Sequence, residues 1–454
     1  MTNFSIIQKS QLKGTTRMDA EYFQSDFLNI ENKLNSIETQ KISDISESVV
    51  NFGAYSLCNF IKWEESGVPY LNVQDIKNGY VDFSNTKFIS EKVNEILKKS
   101  KVLEGQIIMT MAGTIGNIAV AHKIPSKVNS NQAIAKITLK KNIDPYYVAA
   151  FFNSYYGKNQ IMREIVSSVQ PNIFLFQIKN FKVPVVSEST QKEIGDIYKM
   201  GLNEIENSEK LYKQTEDLLL EEVGLKNFDI DKGLSSIVNL SEIRSANRMD
   251  PDFFQIKYKK LLNALDKFDT KKLIEIAQRK TVISKIENKK EYKYIEIGNV
   301  NVGSGEISYN LIPENELPAN AKLKINGGEL IISKVRPTRG AIAIIPDDWK
   351  ENFIASGAFS IFKTNSIARE YLQVVLRSII GKLQLEKPTT GTSYPTVTDG
   401  DVENIKIPIL PKEIQKKISD LVWQSHETRK KAKELLEEAK RKVEEMIEKG
   451  GEKK

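Results

Sequence analysis

The sequence is poor in the residues on which much enzyme chemistry depends. Its 454 residues hold one cysteine, Cys58, and two histidines, His122 and His426. A single cysteine excludes an internal disulfide framework and any cysteine-rich zinc site. Two histidines far apart in sequence leave little from which to build a zinc centre or a Cys–His nucleophile. Long apolar runs are missing as well. None approaches the roughly 20 residues needed to span a bilayer. The first residues lack a basic stretch followed by a continuous apolar one, so a signal peptide is not expected. These absences point to a cytoplasmic chain.

Phosphate-cradling and catalytic signatures are scarce too. Gly157-Lys158 and Gly381-Lys382 each lack a glycine five residues earlier, so there is no P-loop. Asp144-Pro145-Tyr146-Tyr147 is similar to the Asp-Pro-Pro-Tyr element of amino-methyltransferases but lacks its second proline. A helix cap followed by aromatic packing is the simpler reading. Pro251-Asp252 with Asp269-Thr270-Lys271 formally fits a nuclease pattern of two carboxylates and a lysine. Such strings arise by chance in a chain that is 28% charged. Gly113-Thr114-Ile115-Gly116 is too short for a nucleotide loop.

What the sequence does contain is itself, twice. Arg17-Met18-Asp19-Ala20-Glu21-Tyr22-Phe23-Gln24 returns 231 residues later as Arg248-Met249-Asp250-Pro251-Asp252-Phe253-Phe254-Gln255. Gly105-Gln106-Ile107-Ile108-Met109 matches Gly328-Glu329-Leu330-Ile331-Ile332, and Val183-Pro184 matches Ile407-Pro408. Gln191-Lys192-Glu193-Ile194 matches Gln415-Lys416-Lys417-Ile418. Order is kept and spacing drifts by a few residues, which marks the tandem duplication of a whole domain and its tail.

Each copy opens with an amphipathic helix, near residues 19–37 and 251–265. Short β-branched runs separated by Gly, Asn and Pro follow, at 68–73, 106–111, 118–121 and 133–139, and at 292–300, 330–335, 341–345 and 358–363. They read as strands. Helices then start near 144 and 367. The fold class is α+β, with a twisted mixed or antiparallel sheet in each copy. Each copy ends in a long helix with a narrow apolar seam: Ile194, Ile197, Gly201, Ile205, Ser208, Leu211, Thr215 and Leu218, then Ile414, Ile418, Leu421, Ser425, Thr428, Ala432, Leu435, Ala439, Val443 and Met446. So slim a seam on a helix roughly 50 Å long suits the two helices packing on each other. Docking of each helix on its own domain is the alternative.

This doubled layout resembles the DNA-specificity subunit of type I restriction–modification systems. The likeness rests on the ordered elements of each copy. A Gly-[Gln/Glu]-[Ile/Leu]-Ile strand leads to a small glycine-containing loop and a second apolar strand. A polar stretch follows, Ser167-Ser168-Val169-Gln170-Pro171-Asn172 or Thr389-Thr390-Gly391-Thr392-Ser393-Tyr394-Pro395, and then a Val/Ile-Pro strand leads into the helix. Gly53-Ala54-Tyr55-Ser56 keeps part of the family's Gly-x-Thr-Pro-Ser-like loop, which the region around Arg279-Lys280-Thr281 has lost.

The resemblance implies a subunit without catalysis, whose two target-recognition domains each read half of a bipartite DNA sequence. It implies an antiparallel coiled coil that spaces the domains and docks two modification subunits. Those partners would carry S-adenosylmethionine and methylate adenine. Any ATP and magnesium would belong to partner subunits, and the sequence leaves open whether restriction subunits are among them. No cofactor is expected on this chain. The expected divisions are residues 1–187 and 241–410 for the recognition domains, 188–224 and 411–449 for the helices, 225–240 for a linker and 450–454 for a tail.

Residue chemistry fits that expectation. Lysine and arginine (66) outnumber aspartate and glutamate (59) only mildly, so position matters more than total. Lys334, Arg336 and Arg339 crowd one loop with Thr338, where they could meet phosphate or the guanine O6/N7 edge. The matching loop of the first copy, with Thr110 and Thr114, is neutral. Gln170 and Asn172 suit adenine edges, and Ser393 and Tyr394 suit phosphates or bases. Against each stands the plain reading of a solvated polar loop. Partner contacts fall on the seams, at Ile197, Ile205, Leu211, Leu218, Ile418, Leu421, Leu435 and Val443. Two readings of other classes remain: a stand-alone nuclease or methyltransferase with a degenerate site, and a helical scaffold that binds only protein.

Overall fold

The computed structural model describes residues 5–8, 12, 17–53, 55–165, 171–228, 230, 235–281, 283, 291–364, 366–391 and 393–450, without the side chains of 55–57. The chain forms two units, residues 1–206 with 429–454, and residues 207–428.

In the first unit, alternation along the strands decides the layering. Ile107 and Met109 on strand Ile107–Thr110 point to one face and Ile108 to the other, as strand periodicity requires. Both faces are buried. One packs against helix Pro145–Asn153 and its neighbours through Ile107, Met109, Val120, Ile137, Val148 and Phe151. The other packs against a second sheet through Ile108, Ile134, Leu71, Val102 and Val128. The inner sheet runs antiparallel in the order Ser46–Val50, Ile134–Leu139, Ile107–Thr110, Ile118–Val120. The outer one runs Lys87–Ile89, Val68–Leu71, Val128–Ser130, Lys101–Val102, and its central pair is parallel. The result is three layers: helices, inner sheet, outer sheet. Helix Pro145–Asn153 starts where Asp144 accepts from the amides of Tyr146 and Tyr147 and proline occupies the first turn. Asp144 is thus a cap.

The second unit repeats the plan. Its inner sheet is Ala277–Lys280, Phe359–Thr364, Leu330–Ser333, Ile342–Ile344, and its outer sheet is Asn310–Pro313, Glu291–Ile295, Phe353–Ser356, Ala321–Lys324. Here too the outer central pair is parallel. Even single contacts recur. Tyr147 donates its hydroxyl to the Pro184 carbonyl (2.9 Å), and Tyr371 donates to that of Pro408 (2.7 Å). The strands expected from the sequence are present in both copies, divided between two four-stranded sheets per copy rather than the single sheet expected.

The long helices are Glu188–Glu222 and Lys412–Glu448. They pair antiparallel inside each unit. In the first, Glu193 meets Lys442 and Glu204 meets Lys431, so one number rises as the other falls. A Cβ on Gly201 would lie 3.0 Å from the Leu436 side chain and 3.1 Å from the Ala432 carbonyl, so a larger residue would push the helices apart. In the second, Ser425 Oγ donates to the Ser208 carbonyl at 2.8 Å.

The seam expected from the sequence is buried at Ile194, Gly201, Ser208, Thr215, Ser425, Ala432 and Ala439 but shifted at other positions. Ile205, Ile418 and Val443 are buried, but Ile197, Leu211, Leu218, Leu421 and Leu435 are only partly so. The buried places next to Ile197, Leu218, Leu421 and Leu435 belong to Tyr198, Leu219, Val422 and Leu436. A step of one residue turns a helix by about 100°, and the cause is a second partner. Tyr198, Leu202 and Leu436 share a cluster with Phe151 and Val148 of the first domain, and Leu219 and Val422 share one with Tyr371 and Val375 of the second. Each helix packs on its partner and on a domain together. No helix among the described residues is long and apolar enough to cross a membrane.

Candidate nucleic-acid interface

At the end of strand Leu330–Ser333 the second copy leaves its sheet and meets a later stretch of chain. Val335 bridges Thr396, the Val397 amide donates to the Lys334 carbonyl (2.9 Å), and the Arg336 amide donates to the Pro395 carbonyl (2.7 Å). This pairing brings three of the expected residues together. The Arg336 guanidinium donates to the Ser393 carbonyl at 3.2 Å and lies 4.4 Å from the centre of the Tyr394 ring. Tyr394 is two-thirds exposed and Arg336 half-buried, so the ring side of the pair faces solvent. A guanidinium flat on an aromatic ring keeps several N–H donors at its edge for phosphate or a base edge. Arg339 is exposed and Thr338 half-buried on the single turn Pro337–Arg339 that follows.

Arg336 sits at φ +47°, in the left-handed region. That costs a residue with a Cβ about 1 kcal/mol. At the equivalent point of the first copy, directly before the Thr114-Ile115 tip, stands Gly113 at φ +74°, which adopts it freely. The correspondence rests on register. Ala112 bridges Asn172 as Val335 bridges Thr396, and Gly116 and Gly340 close the two loops at φ +79° and +80°. One left-handed position thus carries no side chain in one copy and an arginine in the other.

Lys334 does not share the exposed role expected of it. Its ammonium pairs with Asp399 at 3.0 Å, and Asp399 also accepts from the Ser360 hydroxyl. Burial pushes the Asp399 carboxyl upward, but Ser360 and Lys334 outweigh that and hold it below its ordinary range. Arg279 joins the same group, bonding Glu403 and lying 3.7 Å from Asp399. Lys334 is therefore an internal brace. Asp399 and Glu403 had not been marked from sequence; the Thr398 cap ahead of them was the available signal.

Thr110 also belongs inside. It is buried, its hydroxyl donates to the Thr114 carbonyl at 2.5 Å and accepts from the Asn117 amide at 2.9 Å, so it shapes the loop. Thr114 is exposed at the tip and Asn172 is half-buried beside Ala112. Gln170 lies outside the described residues. The carboxylate–lysine string at 252–271 is not gathered: Asp252 accepts from Gln255 on the turn Pro251–Phe254, while Lys271 pairs with Ile407 in a strand. Among the described residues no three or more His, Cys, Asp or Glu converge as a metal site would require.

Comparison with known proteins adds the following. Residues 35–216 and 265–441 match the family described as type I restriction modification DNA specificity domain. The type I restriction enzyme MjaVIII specificity subunit of Methanocaldococcus jannaschii is 23% identical over 403 residues, 85% of this chain and 89% of that one. The type I restriction enzyme EcoBI specificity subunit of Escherichia coli is 26% identical over 180 residues, 37% of each. A crystal structure of the type I restriction–modification S subunit from M. genitalium aligns over 92% of this chain and 96% of its own, with a TM-score of 0.40 and 15% identity.

Proposed function

The chain belongs to the type I restriction–modification DNA specificity family, and from that premise we propose that it reads a two-part DNA target and presents it to two modification subunits. Each domain contacts one half-site. The paired helices set the unread distance between the halves and give the modification subunits their docking surface. Those partners hold S-adenosylmethionine and methylate adenine, and this chain does no chemistry itself. ATP-driven restriction subunits join where the host system has them.

One observation carries the reading. Two domains with the same strand order and the same left-handed step at the loop entrance bear different groups at that point, Gly113 in one and Arg336 beside Tyr394 in the other. A duplicated frame with unlike tips is what reading two unlike half-sites demands, since bases are distinguished by side chains and not by backbone position.

The helices supply the test. Four residues inserted into each lengthen them by about 6 Å, which at 3.4 Å per step is one or two base pairs. Mapping the methylated adenines of cells carrying the lengthened chain and its methyltransferase should show the gap widened by that amount. An unchanged gap contradicts the spacer role.

A further inference from the structure

The most faithfully repeated motif of the chain, Arg-Met-Asp, lies outside every element assigned so far. In the second copy the Arg248 guanidinium forks onto the Asp250 carboxylate, at 2.8 and 2.7 Å, and its outer nitrogens donate to the carbonyls of Pro388 (2.9 Å) and Thr389 (3.1 Å). The Phe253 ring fills the space between two cations, 4.7 Å from Arg248 and 4.7 Å from Lys387. The first copy repeats this. Arg17 forks onto Asp19 and donates to the carbonyls of Glu164 and Ile165 at 3.1 Å, and the Tyr22 ring lies 4.9 Å from Arg17 and 4.1 Å from Arg163.

The grip matters because of where it closes. Pro388 and Thr389 are the last residues before the chain turns out to Ser393 and Tyr394. Thr390 and Thr396 then exchange backbone hydrogen bonds at 3.0 and 2.9 Å, which closes the base of that excursion. Arg336 attaches to its far side, through its amide to Pro395 and its guanidinium to Ser393 and Tyr394. Helix Ile379–Glu386 ends just before the grip, with carbonyls that arginine is well suited to satisfy. A planar fork held at two oxygens by Asp250 and at two more by the backbone fixes both position and direction, which a lysine would not.

We infer that Arg248 is a positioning residue for recognition of the second half-site: it holds the root of the Tyr394 excursion so that the Arg336–Tyr394 pair meets DNA in one orientation. Arg17 does the same for the first half-site through the end of helix Tyr155–Glu164. The inference rests on the reading of the Arg336–Tyr394 pair as a DNA contact. It explains why the two copies keep Arg-Met-Asp while their loop tips differ.

The test uses the full chain, made with its methyltransferase, carrying R248A, R248K, D250N or Y394A. Two readouts are needed: amide hydrogen exchange at Thr390, Thr396 and Arg336, and the methylation pattern of cells carrying each variant. R248A should speed exchange at those amides at least tenfold and relax base choice in one half of the mapped target, leaving the other half as a control for folding. R248K should resemble R248A, because it keeps charge but not the fork, and D250N should move both readouts the same way by less. Unchanged exchange in R248A overturns the inference. If Y394A relaxes the second half and R248A does not, the inference also fails while the DNA reading stands. If Y394A leaves both halves intact, the reading of the loop itself fails, and the positioning role with it.

Discussion

The two domains share strand order and a parallel strand pair, yet each has put its unusual cation in a different place. The second carries Arg336, half-buried, on a strained loop beside the exposed Tyr394. The first has glycine there and instead buries Lys136 completely within its inner sheet. Ile361 holds the matching position in the second domain, since Lys136 pairs with Ile108 as Ile361 pairs with Ile331. The neighbour changed in step. Ser130 lies 3.0 Å from the Lys136 ammonium, and its counterpart, set by the parallel strand pair, is Ala355. The frame therefore holds a lysine within its inner sheet in one copy and an arginine on the loop beyond that sheet in the other. Only the loop side can offer that charge to a ligand.

Exchanging the buried pair for its counterpart gives the largest effect. Burial alone pushes the Lys136 ammonium down to about 7 from 10.5. Between those values the unfolded chain holds a proton that the folded domain has shed, so the stability of the first domain rises with pH across the window. Below it the lysine costs the fold up to about 5 kcal/mol. K136I with S130A should raise the first domain's melting transition at pH 7 and flatten its pH dependence between 7 and 10. A double variant that melts lower, or keeps the slope, contradicts the account.

Next comes R336G, which makes the second loop like the first. It should weaken DNA binding by about 1–3 kcal/mol and reduce the salt slope by about one, as the loss of one cation at phosphate or guanine does. Because glycine relieves the left-handed backbone, R336G should also be more stable than R336A, by about 1 kcal/mol. Titrations at two salt concentrations and a thermal melt separate the two effects. Affinity equal to the parent at both salts would remove Arg336 from the interface.

The mirror change, G113A, strains a backbone held at φ +74° and should cost the first domain about 1 kcal/mol. A neutral melt would show that the loops do not share a shape. The smallest effect is expected from T114A, an exposed tip in the neutral loop, within about 0.5 kcal/mol in stability. A larger loss there would mean that the first loop depends on its threonine hydroxyl.

Much of this frame is legible in the sequence because duplication repeats its landmarks, and because runs such as Ile134-Ala135-Lys136-Ile137 are too short and β-branched to be helices. Lys136 shows where that reading stops. Alternation assigns it to a second face that a single sheet would leave in water, and only the outer sheet buries it. The helical seams are kept at positions such as Ile205 and Val443 but shift by one residue at Ile197 and Leu421 for a similar reason, since Tyr198 and Val422 answer to a domain core as well as to the partner helix. Lys334 resembles Arg336 on paper, but Asp399, 65 residues later, neutralises it in the fold. The equivalence of Gly113 and Arg336 is hidden by one extra residue in the second loop, until backbone pairing to Asn172 and Thr396 fixes the register.

The central claim is that two copies of one frame read two different half-sites. Methylated adenines should be mapped in cells carrying the chain with its methyltransferase, for the parent and for R336A. The account predicts a motif of two defined halves across a constant undefined gap, with R336A relaxing base choice in one half alone. A single uninterrupted motif, or equal relaxation of both halves, would contradict it.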